Sequence, residues 1–379
     1  MCIQDRSGIR GRLGLVVVPL ALCVVLASTA RADPESTKGP APGSFTIANF
    51  QVESGVTIPR AIVVYGTYGT LNAAKDNAVL LPSHYMAQSD GYDWLIGEGR
   101  VLDPRRHFLI MTELFGNGRS SSPSNTPPPL HGPRFPVTTI RDNVEAVRRL
   151  LEDGLGVHHL KAVVGFSMGA EQALQWAVSH PRFADKIVAT AGTARCWPHG
   201  VVRLDSQIRA ITVDPVFNGG DYTEQPVRGV EATAAVWLAW LYSQEWWKRE
   251  LWKKTEPAAA TMTLAQYTDQ QRKEFFAGAD ANDLILQMRT WQAHDVGTTP
   301  GFGGSTEKAL RSISAPVLYM PSETDLYFPL GDARQEARWI QRVTLAPIPS
   351  LWGHTAGIGA SPEDLAFIER KLRAFLATP

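Results

Sequence analysis

The chain has 379 residues, of which 44% are hydrophobic and 20% charged, an ordinary globular composition for one large domain or two medium ones. Its 37 basic and 37 acidic residues cancel, so the totals give no reason to expect a nucleic acid or an anionic membrane surface as a partner.

The first 32 residues have the pattern of a secretory signal peptide. Arginines at positions 6, 10 and 12 precede an apolar run over residues 13–26, and Ala30-Arg31-Ala32 matches an A-x-A cleavage site. We therefore expect cleavage before Asp33 and export to the periplasm or the medium, with no stable membrane anchor left. A buried N-terminal helix and an uncleaved anchor are the alternatives.

Removal of this segment would leave a single cysteine, Cys196, because Cys2 and Cys23 lie within it. The mature chain would carry 33 basic and 36 acidic residues, a net charge of about −3. Because one thiol cannot form an internal disulfide, the stability of an exported chain of this kind must come from its apolar core.

After a Pro-rich lead-in over residues 33–43, which we expect to be mobile, strand-like and helical patterns alternate. Helical spacing of apolar residues begins at Ile140 and again after Ser167, and the second helix ends before Pro181. The resulting alternation predicts a mostly parallel sheet with helices on its faces. Strand-like apolar runs occupy residues 45–52, 61–69, 78–85, 107–114, 161–167 and 186–192.

Helical sequence replaces the strand patterns between residues 200 and 310. The sheet resumes at 315–322 and 343–350, and a last helix has Ser361 as its N-cap. We predict an α/β core over residues 44–199 and 311–379, interrupted by a helical lid over residues 200–310. Five lid tryptophans could bind a large apolar acyl or alcohol group, or could pack the lid or a dimer face: Trp237, Trp240, Trp246, Trp247 and Trp252.

A serine lies between two glycines in Gly165-Phe166-Ser167-Met168-Gly169, directly after a buried strand and directly before a helix. A lone G-x-S-x-G is a weak signal, but this setting is the one that a nucleophile elbow requires. The turn would hold the serine in a strained conformation, and the helix beneath it would stabilise developing negative charge. A structural Gly-Ser turn is the alternative.

A nucleophilic serine needs a base, and the base needs an orienting carboxylate. Asp325 and His354 each follow a predicted strand, in the order Ser, Asp, His that this kind of elbow uses. Glu323 is the fallback for the acid. The oxyanion hole needs two N–H groups, for which we expect Met168 and a residue near Tyr85 or Met86. We find no metal-spaced cluster, P-loop or dinucleotide fingerprint and expect no cofactor.

Four segments, spread over most of the mature chain, resemble the homoserine O-acetyltransferase (MetX-like) branch of the α/β-hydrolase superfamily. The resemblance implies an α/β-hydrolase fold with a helical lid, a Ser-Asp-His triad on Ser167, Asp325 and His354, and an oxyanion residue at Met86 rather than Tyr85. The similar segments are "VVYGTYGTLNAAKDNAVLLPSH", "DGYDWLIGEGRVLDPRRHFLIMTELFGNGRSSSPSN", "GFSMGAEQALQWAVSHP" and "RAITVDPVFNGGDY".

Two departures from the family concern the acyl acceptor. Members that acetylate an amino acid carry an aspartate directly after the catalytic histidine, where this chain has Thr355, and a lid arginine where it has Ala234. A zwitterionic acceptor would bind poorly without those charge partners. The candidate substrate contacts are Tyr85, Thr355 and two residues that match family positions, Arg209 and Tyr222.

The leading hypothesis is therefore an exported serine hydrolase that cleaves a small-molecule carboxylic ester or related acyl bond. Acyl transfer from acyl-CoA to a small alcohol or amino acid is the alternative, and a catalytically silent binding scaffold is the third reading. A homodimer is a further expectation.

Overall fold

The computed structural model describes residues 39–378, which form an α/β fold around an eight-stranded sheet. The strand order is β1-β2-β4-β3-β5-β6-β7-β8. The strands are β1 Ala41–Gln51, β2 Thr57–Tyr68, β3 Ala78–Pro82, β4 Phe108–Thr112, β5 Ala162–Phe166, β6 Ile187–Thr190, β7 Val317–Met320 and β8 Val343–Leu345.

The sheet is parallel from β4 to β8, while β1 and β2 form an antiparallel edge. Strands β3, β5, β6 and β7 are buried at every position, as expected for short apolar runs covered by helices on both faces. The mostly parallel sheet predicted from the sequence is confirmed.

The start of the sheet corrects one expectation. Residues 41–43 belong to β1, where Ala41 pairs with Thr67 and Gly43 with Tyr65, so the mobile lead-in predicted through residue 43 is wrong for these three positions. Backbone pairing with β2 holds a segment whose Pro and Gly content alone suggested no structure. The predicted signal peptide lies outside the described residues.

The helices follow the predicted alternation. The helix after β4 begins with a capping box in which Thr139 and Asp142 bond each other's backbone N–H groups. The last helix has the predicted N-cap, since the Ser361 side chain accepts the N–H of Asp364. The helices are α1 Ile140–Arg149, α2 Met168–Ser179, α3 Pro198–Thr212, α4 Val227–Leu241, α5 Gln244–Lys248, α6 Leu264–Glu274, α7 Ala281–Gln292, α8 Thr306–Arg311, α9 Leu330–Ala337 and α10 Pro362–Ala377.

The segment between β6 and β7 is helical and contains α3 to α8. Helix α3 begins at Pro198, two residues before the predicted lid boundary. Helices α3, α4 and α7 pack together above the carboxyl ends of the strands, where parallel sheets carry their sites. Within the part of the chain that the structure describes, no helix is both long and apolar enough to cross a membrane.

Candidate active site

Ser167 occupies a strained turn between β5 and α2. Its backbone has φ 55° and ψ −125°, a left-handed φ that is unusual for a side-chain-bearing residue. The flanking glycines permit this turn, because a Cβ on Gly165 would lie 2.0 Å from the carbonyl oxygen of Gly169, and one on Gly169 would lie 2.3 Å from that of Pro82. The local geometry is that of the predicted elbow.

The structure brings Ser167, His354 and Asp325 into one hydrogen-bonded row. His354 Nε2 lies 3.0 Å from Ser167 Oγ, and His354 Nδ1 lies 2.8 Å from Asp325 Oδ2. The other oxygen of Asp325 accepts the backbone N–H groups of Tyr327 at 2.7 Å and Phe328 at 3.1 Å. Each carboxylate oxygen therefore has a donor, so the orientation of the carboxylate is fixed.

This row is almost sealed from solvent, since Ser167 is 3% exposed and His354 5%. The rings of Phe166 and Tyr327 lie 4.8 Å from the imidazole, and that of Phe328 lies 5.5 Å away. An enclosure of aromatic rings lowers the local dielectric and strengthens every charge interaction inside it. The fallback acid Glu323 is exposed, and the histidine bonds to Asp325 instead.

A second histidine, His84, lies on the active-site side of the sheet with its ring 5.1 Å from that of Phe166. Burial, with a smaller contribution from His354, lowers the pKa of His84 to about 4. His84 is therefore neutral at ordinary pH and forms part of the wall.

The two predicted oxyanion donors differ in whether their backbone N–H groups are already hydrogen-bonded. Met168 is the first residue of α2, and its N–H finds no acceptor among residues 39–378. The N–H of Met86, which also has a left-handed φ of 54°, donates to Gln287 Oε1 at 2.7 Å. Gln287 belongs to α7 in the lid, and its Nε2 donates to the carbonyl of Phe115 at 3.2 Å. That second bond fixes which end of the amide faces Met86.

Two of the four predicted substrate contacts lie beside this site. Tyr85 is buried and donates its hydroxyl to the carbonyl of Leu284, 3.0 Å away on α7. Thr355 is buried next to His354, and its hydroxyl donates to the carbonyl of Trp352 at 2.8 Å. That hydroxyl is already satisfied by the backbone.

The other two predicted contacts, Arg209 and Tyr222, lie elsewhere. The side chain of Arg209 is 74% exposed and pairs with Asp205 at 2.6 Å. Tyr222 donates its hydroxyl to Asp280 and accepts the N–H of Asn282, which ties it to the start of α7. Neither is brought to Ser167: Arg209 lies on the solvent-facing side of α3, and Tyr222 lies in the connection between α3 and α4.

The lid tryptophans divide into two groups. Trp246 is fully buried and stacks on Tyr242 with ring centroids 3.7 Å apart, beside Trp352. Trp237 instead stacks on Tyr85 at 4.6 Å and lies 5.2 Å from Tyr327, whose hydroxyl donates to the Trp237 carbonyl at 2.7 Å. The first group packs the lid, and the second contacts the residues that border the site.

Sequence reasoning missed three polar residues around the site: Glu171, Arg203 and Gln287. All three are almost fully buried. A polar residue at a position that helical periodicity assigns to the buried face is the signal that could have identified them. Among the described residues, no three His, Cys, Asp or Glu side chains are grouped so as to hold a metal ion.

Comparison with known proteins identifies one family and, among the relatives, both esterases and acetyltransferases. The family described as alpha/beta hydrolase fold matches residues 85–356. An ethyl acetate hydrolase of Pseudomonas veronii is 34% identical over 343 residues, covering 89% of this chain and 97% of that protein. A homoserine O-acetyltransferase of Trichormus variabilis is 29% identical over 319 residues, covering 81% and 87%. The solved structure of the acetyl esterase MekB, at 34% identity, superposes with a TM-score of 0.85 and covers 90% of this chain and 97% of its own.

Proposed function

This chain belongs to the α/β-hydrolase family and is an enzyme of that fold, and we propose that it is a serine esterase that hydrolyses short-chain carboxylic esters. The observation that carries the proposal is the continuous row from Ser167 Oγ through His354 to Asp325, with contacts of 3.0 and 2.8 Å. A nucleophile, a base and an orienting carboxylate in that order perform acyl transfer.

In the proposed mechanism, Ser167 Oγ attacks the ester carbonyl carbon while His354 Nε2 takes its proton. The C–O bond to the alcohol then breaks, and the imidazolium returns that proton to the leaving oxygen. Water repeats the sequence on the acyl-enzyme and releases the acid. Asp325 holds His354 in the tautomer with Nδ1 protonated and stabilises the imidazolium.

The oxyanion would be held by the N–H of Met168 and that of Met86. The second donor is occupied by Gln287 Oε1 at 2.7 Å. The carbonyl oxygen of the ester therefore has to replace the amide oxygen of Gln287. A tetrahedral oxyanion is the stronger acceptor of the two, so the exchange favours the transition state over the ground state.

Short acyl groups are favoured by the enclosure of the site and by its relatives. Ser167 and His354 are nearly unexposed, and Trp237 stacks directly on Tyr85, the residue before the proposed oxyanion donor Met86. Two relatives at 34% and 30% identity are named for acetyl esters. This favours a small acyl group over the large apolar one that the tryptophan content suggested.

Acyl transfer to a small alcohol or amino acid is the second candidate, supported by the acetyltransferase relatives. Water is preferred as the acceptor because the Thr355 hydroxyl is bonded to Trp352 and the guanidinium of Arg209 is exposed. Thr355 is uncharged and the guanidinium of Arg209 is paired with Asp205 at the surface, so neither gives a zwitterionic acceptor a partner charge in the site. O-acetylhomoserine formed from acetyl-CoA and homoserine at a rate above that of hydrolysis would reverse this preference.

The deciding experiment is hydrolysis of ethyl acetate and of p-nitrophenyl esters of increasing acyl length by the wild type and by Ser167→Ala. We expect the wild type to prefer acetyl esters and to be labelled by a fluorophosphonate probe, and the variant to show neither property. Equal activity of the two proteins, or wild-type inactivity on every ester, would refute the proposal and favour a binding role.

We also propose that the enzyme is exported, on the strength of the basic, apolar and A-x-A pattern of residues 1–32. Fractionation of cells with and without these residues tests this, since deletion should leave the enzyme in the cytoplasm. The expected homodimer stays a prediction. Exposed valines and Phe275 on the lid support it, and light scattering of the purified protein checks it.

A further inference from the structure

The two backbone N–H groups assigned to the oxyanion hole come from the ends of two different strands. Met168 begins the helix after β5, and Met86 lies in the loop after β3. The distance between the two donors therefore depends on how far the end of β3 lies from the end of β5. A misplacement of about 1 Å in a reacting site can cost roughly 100-fold in rate, so this separation has to be fixed.

The ladder between β3 and β5 stops before the strands themselves end. Its last pair is Leu80 with Val163, although β3 stays paired with β4 as far as Pro82 and β5 stays paired with β6 as far as Phe166. The same register, if continued, would bring Pro82 opposite Gly165, the residue before Phe166. The two strands are therefore unpaired at their carboxyl ends, where the segments that carry both donors begin.

The hydroxyl of Tyr92 fills this gap. It donates to the carbonyl of Pro82 at 2.7 Å and accepts the N–H of Phe166 at 3.0 Å, so one oxygen atom takes the place of a direct bond between the strands. Tyr92 is 2% exposed, and burial raises the pKa of its hydroxyl, which therefore keeps the proton that it donates. Its ring belongs to the buried apolar cluster that includes Leu81 and Leu95, and this packing fixes the position of the hydroxyl.

The second glycine of the elbow makes room for this hydroxyl. A Cβ on Gly169 would lie 2.6 Å from Tyr92 Oη and 2.3 Å from the carbonyl oxygen of Pro82. Helix α2 also bonds to the end of β3, since Gln172 Nε2 donates to the carbonyl of Ser83 at 2.8 Å. The elbow and the end of β3 are therefore held together by hydrogen bonds that need the missing side chain at position 169.

We propose that Tyr92 is a positioning residue that sets the separation of the Met86 and Met168 N–H groups by bridging the carboxyl ends of β3 and β5. The inference rests on the proposed esterase function, because a reaction that forms an oxyanion is what needs both donors. Tyr92 touches none of the reacting atoms and acts through the backbone at Pro82 and Phe166. Because the donors matter most when the carbonyl oxygen becomes charged, loss of the bridge should lower kcat rather than raise KM.

The first test is Tyr92→Phe, which removes the bridging oxygen and keeps the ring. We expect kcat on an acetyl ester to fall by roughly 10-fold, less than the loss of about 100-fold or more that removal of a whole donor causes, with KM within about twofold. Inhibition by a short trifluoromethyl ketone, whose adduct with Ser167 carries an oxyanion, should weaken by a similar factor. A role in stability alone would move neither kcat nor the affinity for this inhibitor.

Tyr319→Phe is the matched control. It removes another buried tyrosine hydroxyl, which donates to Glu336 at 2.8 Å on the far side of β6 from β5. Both variants should lower the melting temperature by roughly 2–5 °C, because each leaves a buried polar group without its partner. Unchanged kcat and inhibitor affinity in Tyr92→Phe, or an equal loss of both in Tyr319→Phe, would overturn the positioning role.

Hydrogen exchange of the Phe166 amide tests the bridge without any turnover. In Tyr92→Phe this amide should exchange at least about tenfold faster, because it loses its acceptor. The next amide along the chain, which donates to the carbonyl of Thr190 at 3.0 Å, should keep its protection. Exchange of the Phe166 amide at the wild-type rate would refute the bridge. The measurement can be made in the Ser167→Ala background, so it separates failure of the bridge from failure of the esterase proposal.

Replacement of Tyr92 by 4-aminophenylalanine gives a second variant, and it takes the place of Tyr92→Phe if that protein does not fold. The amine can still donate to Pro82, but it accepts the N–H of Phe166 poorly. We therefore expect kcat and the exchange rate of the Phe166 amide to lie between those of the wild type and those of Tyr92→Phe. Wild-type values of both quantities in the amine variant would contradict the proposal.

Discussion

The core side of the candidate active site holds Ser167, His354 and Asp325 in direct hydrogen bonds, whereas on the lid side the buried guanidinium of Arg203 has two nitrogens without a partner among the described residues. Ser167, His354 and Asp325 all lie at carboxyl ends of strands, in turns of a few residues. Gln287 and Arg203 reach the same region from helices α7 and α3. In the proposed mechanism the core therefore supplies the reacting groups, and the lid supplies contacts around them.

This difference predicts how substitutions should behave. A change on the core side should lower the rate far more than it alters stability, because the reaction depends directly on these side chains. A change on the lid side should alter stability, chain-length preference or the pH profile, with a smaller effect on rate. Four experiments test the contrast, ordered from the largest expected effect on activity.

Asp325→Asn should lower kcat by about 10⁴-fold, since an amide at this position favours the wrong tautomer of His354 and cannot stabilise the imidazolium. Steady-state kinetics on an acetyl ester measure the effect. Glu323→Gln, two residues away and exposed, is the control and should stay within about twofold of the wild type. A larger loss in Glu323→Gln than in Asp325→Asn would exchange the roles of the two acids.

Gln287→Glu should lower kcat/KM by roughly 10- to 100-fold, because a carboxylate against the Met86 N–H repels the oxyanion that must take its place. The same change at Gln292, at the end of α7 and half-buried, should have little effect. If Gln287→Glu retained full activity, Met86 would not be an oxyanion donor and the contact of 2.7 Å would be purely structural.

Trp237→Ala and Trp246→Ala should separate the two tryptophan groups. Both should lose about 3–5 kcal/mol of unfolding free energy, as large aromatic deletions do. Trp237→Ala should also lower kcat/KM for acetyl esters about tenfold and improve longer acyl chains, since it removes the ring that stacks on Tyr85. Trp246→Ala should leave the chain-length profile unchanged. Identical profiles for the two variants would mean that both groups only pack the lid.

Glu336, at the junction of core and lid, should make stability depend on pH without affecting the rate. Its oxygens accept from Ala194, Trp197 and Tyr319, yet burial raises its pKa to about 7. The folded state therefore binds more protons than the unfolded state between about pH 4.5 and 7. The free energy of unfolding should fall by about 1–3 kcal/mol over that range as pH rises, and then level off.

Urea unfolding at pH 5 and pH 8 measures this change, and Glu336→Gln should flatten it. The free energy of unfolding could instead rise from pH 5 to pH 8, with Glu336→Gln abolishing that rise. This result would reverse the expected sign and show that the ionised form of Glu336 stabilises the fold.

Much of the architecture could be predicted because its causes are local. Apolar runs of five or six residues mark the buried strands, Ser361 and Thr139 cap helices by short-range bonds, and Gly165 and Gly169 are required by the turn around Ser167. The first residues of β1 were mispredicted because their order depends on pairing with β2, more than twenty positions further along the chain.

The contacts of the lid were harder to predict. Arg209 matches a family position, but the turn of α3 directs it to solvent, while Arg203 on the same helix faces inward. Nothing in the neighbourhood of Gln287 in the sequence indicates that its amide reaches Met86, 201 positions away. Such contacts depend on how helices pack, and a rotation of one residue changes which side chain points inward.

The sequence by itself determined the fold class, the elbow and the candidates Ser167, Asp325 and His354, because backbone geometry and the chain order of strand ends are encoded within a few residues of each. Only the tertiary structure decided that a lid glutamine occupies the Met86 N–H and that Arg203 and Glu171 are buried. Burial, and with it the cost of an unpaired charge, is a property of the packed chain.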